Sequence, residues 1–445
     1  MKTRLLLLLS LFTLQINAQC WNKIASGLYH TVAVSQDGTL WTWGASTYIN
    51  VNSSIPIKIG NDTDWVTVGS GYHHSFAIKS NGTLWAWGYN YYGQLGNGAF
   101  GNTANISVPT QIGTDTNWRS VTGGELHTLA TKTDGTLWST GKNGVGELGF
   151  NDFTDRHVFT QVNTDTDWGK IACGRSHSIA LKTAGQLNVW GGNGSGQLGL
   201  YSTTNRKTPG WIMQTMSFTD IAGGLSSTIA IKSDGTMWRA GYGCVIPGSV
   251  WNFTEFVNTP ANWNSVKIGN NFIMATKNDG SIWTLGTNDY GQFGNPSFNS
   301  STSFVRPNMD VDWSTNISLN NFGTLILKNN GQLYGTGQNV DGELGLGDLV
   351  NKSVFTAMTC PFTLGTNDFS QNNLKVSLYP NPASDVLNIE MDTELKLVKI
   401  YNLQGQKVKS SSSRNIHVSD LSSGIYMVRV EDENGSTSTQ KLFKE

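Results

Sequence analysis

The chain has 445 residues, 14 % of them charged, with 30 Lys plus Arg against 31 Asp plus Glu. So sparse and balanced a charge leaves no electrostatic footprint for nucleic acid, and the length allows two or three domains. Its 51 glycines and 16 tryptophans suit hairpin turns and aromatic sheet cores.

The chain opens on a leader. Lys2 and Arg4 precede a mostly apolar run, Leu5 to Ile16, too short to span a bilayer. Ile16-Asn17-Ala18 offers cleavage before Gln19, so residues 1–18 read as a signal peptide. Its removal takes Lys2 and Arg4 away and leaves 28 basic against 31 acidic residues. Gln19, standing before Cys20, is the wrong residue for a lipobox, and no later stretch is long and apolar enough for a membrane helix. An exported chain meets an oxidising compartment. The four cysteines, Cys20, Cys173, Cys244 and Cys360, match no zinc or redox spacing.

Seven copies of one unit follow. Their turn glycines are Gly38, Gly82, Gly135, Gly185, Gly235, Gly280 and Gly331, spaced by 44, 53, 50, 50, 45 and 51 residues. An aromatic precedes each by 17 residues, or 18 in the last: Trp21, Trp65, Trp118, Trp168, Phe218, Trp263 and Trp313. Asp or Asn stands before the glycine in all but the fourth copy, where it is Ala184. Such pairs between alternating runs like "HTVAVSQ" and "TLWTW" predict hairpins with type I′ turns. Four short strands per copy in seven copies predict an all-β, seven-bladed propeller. The segment "SVFTAM" (353–358) is expected to complete the blade begun by "WNKIAS" and so to close the ring. Cys20 precedes the first copy and Cys360 follows the last, so a disulfide between them would staple that closure. The alternative is thiols left free or otherwise paired. Cys173 stands where other copies have Ser26, Ser70 or Gly123 and reads as a buried small residue.

The copies resemble the Regulator of Chromosome Condensation repeat family over about residues 20–358. The resemblance rests on Gly-x-x-His-Thr/Ser, the glycine turn, Trp-Gly, and Asn-x-x-Gly-Gln-Leu-Gly, as in "GSGYHHSFAIKSNGTLWAWGYNYYGQLGNG". It implies seven blades. Copies five to seven lack the histidine, carrying Ser227, Phe272 and Gly323, and copies one and five lack the Gly-Gln-Leu-Gly loop. The namesake's nucleotide exchange does not transfer to an exported chain without a basic surface. Exported family members that bind other proteins are the nearer precedent.

A polar stretch, residues 361–374, reads as a linker. Beyond it, residues 375–445 alternate in short runs that predict a small, immunoglobulin-like β-sandwich. They resemble the type A sorting domain of the type IX secretion system, through Tyr379-Pro380-Asn381-Pro382, Leu387, Ile389, Ile400-Tyr401-Asn402, Gly405 and Gly424-Ile425-Tyr426. That resemblance implies the type IX machinery as partner, and release outside the cell or attachment to its surface. The propeller is then expected at residues 19–360.

His30, His74, His127 and His177 recur in different blades, which favours framework hydrogen bonds over a metal site. Asp62-Thr63-Asp64, Asp165-Thr166-Asp167 and Asp310-Val311-Asp312 offer too few oxygens for calcium and read as Asx turns. Fourteen tryptophans fall on repeat positions. Trp211 and Trp251 do not, and with the loop residues Tyr89, Tyr91, Tyr92 and Tyr290 they are the candidate partner contacts. No Ser-His-Asp signature, Gly-x-Ser-x-Gly elbow, phosphate loop or His-Glu-x-x-His occurs. No cofactor or metal is expected. The sequence therefore points to an exported, non-enzymatic propeller that binds an extracellular macromolecule, a protein rather than a glycan. The alternatives are a polysaccharide-binding or polysaccharide-cleaving protein and a structural adhesin.

Overall fold

Short alternating runs separated by glycine turns can bury one face only by stacking sheet on sheet. The computed structural model describes residues 20–243, 250–256, 261–360, 374, 376–402, 407–433 and 437–445. The signal peptide (1–18), Cys244, Gly405 and residues 361–373 of the expected linker lie outside them. Two compact units divide the chain, Met1–Pro361 and Phe362–Glu445.

The first unit holds seven four-stranded antiparallel sheets, each in chain order. Blade 1 runs Trp21–Ser26, His30–Ser35, Leu40–Ser46 and Val51–Ile59. Blades 2 to 7 open with Trp65–Ser70, Trp118–Gly123, Trp168–Cys173, Phe218–Gly223, Trp263–Ile268 and Trp313–Leu319. They close with Ile106–Gln111, Arg156–Gln161, Arg206–Ile212, Val250–Glu255, Ser301–Val305 and Lys352–Ala357. First strands line the axis and fourth strands form the rim.

The hairpin turns differ from the expected type I′. Only the glycine has positive φ, +78° at Gly38 and +77° at Gly82. Gly38 N–H donates to the Ser35 carbonyl (3.1 Å) and Ser35 N–H to the Thr39 carbonyl (3.0 Å). This is a three-residue loop, a type I turn closed by a glycine bulge. The Asp37 side chain decides it. Its carboxylate accepts Thr39 N–H (3.1 Å) and Thr39 Oγ1–H (2.8 Å), and Thr39 Oγ1 accepts Trp41 Nε1–H (2.7 Å). The same relay runs Asp134–Thr136–Trp138, Asp234–Thr236–Trp238 and Asp279–Ser281–Trp283. The recurring letters Asp-Gly-Thr-x-Trp thus encode one hydrogen-bonded corner.

The ring also closes differently from expectation. Lys352–Ala357 pairs with Leu333–Gly337 of blade 7, not with blade 1. The chain enters at an axial strand and leaves at a rim strand, so every blade is complete without strand exchange. Blades 7 and 1 join by packing. Ser26 N–H donates to Ser318 Oγ (2.7 Å), Asn316 Nδ2–H to the Asn22 carbonyl (2.8 Å), and Trp43 Nε1–H to the Glu343 carbonyl (3.0 Å). Cys20 and Cys360 are disulfide-bonded, with Cα atoms 5.8 Å apart.

The second unit is two facing sheets. One comprises Val376–Tyr379, Val386–Met391 and Asn415–His417; the other Lys407–Ser411, Leu395–Tyr401, Gly424–Asp432 and Thr437–Lys444. Leu387, Ile389, Val398, Ile400, Val428 and Leu442 fill the space between them. No helix among the described residues is long and apolar enough to cross a membrane.

Candidate binding face

Most of the repeat motif is spent on joining blades. In copies two, three, four, six and seven the loop asparagine is fully buried. Asn143 Oδ1 accepts Leu148 N–H (2.9 Å), while Asn143 Nδ2 donates to Asp152 Oδ1 (2.9 Å) and to the Thr154 carbonyl (3.1 Å). This folds the loop onto the rim strand of the next blade. Asn151 N–H donates to the Lys207 carbonyl (3.0 Å), and blade 7 grips blade 1 in the same way through Gly347 and Ser54 (2.8 Å). A Cβ on Gly146 would come within 2.8 Å of Lys207 Cα, so only glycine permits the approach.

The recurring histidines complete the joint. His30, His74, His127 and His177 bond through Nε2 to the hydroxyls of Ser75, Thr128, Ser178 and Thr228 in the following blade, at 2.7 to 3.2 Å. Thr128, Ser178 and Thr228 donate their own protons to the carbonyls of Gln94, Glu147 and Gln197. Each therefore accepts from Nε2–H, which fixes the neutral tautomer. Burial lowers the pKa of His30, His74 and His127 to about 3, and of His177 to about 4.

The Asp pairs are counter-ions rather than Asx turns. Lys182 Nζ lies 2.8 Å from Asp165 and 3.0 Å from Asp167, and 5.2 Å from the Trp168 ring centroid. Lys79 and Lys328 repeat this with Asp62/Asp64 and Asp310/Asp312. The Asx turn belongs to the preceding asparagine, since Asn163 Oδ1 accepts Asp165 N–H.

The first strands enclose a central cavity of about 360 Å³. Among the described residues its lining holds no carboxylate. Cys173 borders it half-buried, where burial pushes the thiol pKa up. At the hairpin-turn end charged side chains bridge neighbouring blades. Arg119 donates to the carbonyls of Trp168 and Gly169, and Lys170 lies 2.9 Å from Asp220, which also accepts Val266 N–H.

The opposite end, where the first-to-second and third-to-fourth strand loops emerge, is different. Here rings from blades 1 and 2 form a contiguous cluster, at whose centre His73, Tyr48 and Tyr89 all touch one another (His73–Tyr89 6.5 Å, edge-on). Tyr29 meets His73 (centroids 6.5 Å apart), His73 meets Tyr48 (5.4 Å), and Tyr48 meets Tyr89 (4.8 Å). Tyr89 stacks at 11° on Tyr91 (6.4 Å), which touches Tyr92 (4.9 Å), and Lys142 Nζ sits over Tyr92 (5.2 Å). Tyr29 and Tyr91 are exposed and the rest half-buried. At the inner end Glu125 pairs with Arg175 (2.7 Å). Burial and the neighbouring tyrosines raise the Tyr89 phenol pKa, and burial lowers that of His73. Sequence reasoning reached Tyr89, Tyr91 and Tyr92 but missed Tyr29, Tyr48 and His73. The available signal was an aromatic just before the repeat histidine in two successive copies.

Trp211 and Trp251 are exposed but apart. Trp211 pairs with Asn188 near the hairpin-turn end of blade 4, whereas Val250, beside Trp251, pairs with Gly241 at the loop end of blade 5. Tyr290 packs at a tilt on Phe322 (4.9 Å), away from the ridge.

In the tail unit Tyr379 ends its strand half exposed, followed by cis bonds to Pro380 and from Asn381 to Pro382. Asn381 donates to the Lys441 carbonyl (2.7 Å) and accepts Phe443 N–H (2.8 Å), and Gly424 pairs with Lys444. The motif residues Asn381 and Gly424 thus meet on the C-terminal strand.

Residues 81–131, 134–181 and 184–231 match the Regulator of chromosome condensation (RCC1) repeat, and 21–49, 65–94 and 170–197 match a second description of that repeat. Residues 377–445 match the Secretion system C-terminal sorting domain. The chain is an RCC1-repeat propeller with a type IX sorting domain. Its sixth and seventh blades lie beyond these matches yet keep the fold. The RCC1 propeller is similar to human WBSCR16 (TM-score 0.61, 19 % identity, 69 % of this chain and 85 % of that one). It is also similar to yeast RCC1 (Prp20), solved bound to Kap60 (TM-score 0.61, 16 % identity, 80 % and 87 %). At such identities the likeness is one of fold. Beta-agarase D of Zobellia galactanivorans is 37 % identical over 70 residues, 15 % of this chain and 14 % of the agarase. The match therefore spans about a seventh of that relative's length. The sorting domain indicates export across the outer membrane to the cell surface or the extracellular space.

Proposed function

We propose that this exported propeller is a non-enzymatic module that binds an extracellular macromolecule through the loop end of blades 1 and 2. The observation that carries the reading is the cluster of six rings from Tyr29 to Tyr92, with Tyr29 and Tyr91 exposed at the surface. Exposed aromatics of this kind supply contact area at low entropic cost. Most glycosidases work with two opposed carboxyl groups. Among the described residues the cavity lining has none, and the nearby Glu125 is engaged by Arg175.

The test is retention of extracellular proteins and polysaccharides by the immobilised full chain and by a Tyr89→Ala/Tyr91→Ala variant. The reading predicts a retained macromolecule that the variant releases, recovered uncut. New chain ends in the bound polymer, or retention indifferent to the substitutions, would count against it.

A further inference from the structure

The ridge also constrains the chemistry of its ligand, on the reading that the loop end is the binding face. We propose that it is a stacking platform for a neutral polysaccharide, laid along the rings from Tyr92 toward the mouth of the central cavity.

Continuity is the first argument. Ring contacts of 4.8 to 6.5 Å join residues of four separate loops into one patch, so neighbouring sugar rings meet neighbouring aromatics. The C–H face of a pyranose carries partial positive charge, and an aromatic face is negative. Composition is the second. The cluster contains only tyrosine and histidine, amphipathic rings that offer a sugar both an apolar face and a polar edge. Polar complement is the third. Tyr29 and Tyr91 are exposed, and a phenol hydroxyl offers both a donor and an acceptor to a sugar hydroxyl. Charge is the fourth. Glu125 and Arg175 neutralise one another at the inner end, and Lys142 stands at the outer end over Tyr92. Together these three carry one net positive charge, which offers a polyanion little, whereas a neutral chain loses nothing.

Affinity electrophoresis of the full chain through native gels tests this, with neutral glucan, galactan, mannan or xylan beside sulfated and uronate polymers. The expected result is retardation by at least one neutral polymer, unchanged by added salt. Tyr89→Ala/Tyr91→Ala should weaken it about tenfold or more. Tyr89→Phe/Tyr91→Phe should keep most of it, and Trp211→Ala all of it. Thermal unfolding of each variant separates loss of binding from loss of fold. Failure of every neutral polymer, retardation that survives the alanine pair, or retardation by polyanions alone that salt abolishes would overturn the proposal. If a protein is instead released by the alanine pair while no neutral polymer binds, the polysaccharide assignment falls and the loop-end reading stands. Binding indifferent to the ridge removes both.

Discussion

Each repeat histidine is held neutral in a dry joint between blades, and that has a pH consequence. Folded pKa values of about 3 to 4 lie below the unfolded value near 6.5. Below pH 6.5 the unfolded chain takes up protons that the folded chain refuses. Stability contributed by these groups is therefore complete above pH 6.5 and drains away as pH falls toward 4. Each site costs about 1.4 kcal/mol per pH unit in that range. Urea unfolding between pH 4 and 8 should show a steep acid limb, and His127→Gln should flatten it. A profile level down to pH 4 would contradict the assignment. The aspartates show the opposite limit of sequence reading. Asp165 and Asp167 were legible as a pair, but their partner Lys182 is 17 residues downstream on another strand. Nothing local names it.

The loop from Asn143 to Asn151 works as a latch between blades. Asn143→Ala strands the buried Leu148 N–H, whereas the exposed Thr154 carbonyl keeps Arg156. Such a loss costs about 1–3 kcal/mol. Hydrogen exchange should quicken in this loop and in Arg206–Ile212, the rim strand it grips. Unchanged exchange there would mean the latch contributes little. At this scale the sequence was a good guide to what repeats and a poor one to detail. Glycine spacing and the strand period gave the blades. Asp-Gly fits both a type I′ turn and a type I turn with a glycine bulge, and only the Asp–Thr–Trp relay separates them. A rim strand such as Lys352–Ala357 reads alike whichever sheet it joins. The ridge was half legible for a related reason, because Tyr29, Tyr48 and His73 come from different loops.

Across the whole molecule, the ends of the ring meet through packing, the blade 7 latch and the Cys20–Cys360 bond, which spans 340 residues. Chain-entropy arguments assign a closure of that length about 6 kcal/mol. Cys20→Ser/Cys360→Ser should lower the unfolding free energy by up to that amount while leaving the blades' exchange pattern intact at neutral pH. No change in the denaturant midpoint would show that packing alone closes the ring. Removing residues 375–445 should leave the propeller in the periplasm, seen by fractionation, and its normal appearance outside would contradict the sorting role. The central claim is that this exported ring presents the loop end of blades 1 and 2 to its partner. Hydroxyl-radical footprinting of the full chain, alone and with the macromolecule it retains, tests that most directly. The account predicts protection of Tyr29, Tyr48, Tyr89 and Tyr91, with Trp211 and Trp251 unaffected. Protection of those two tryptophans or of the hairpin-turn end, with the ridge still reactive, would contradict it.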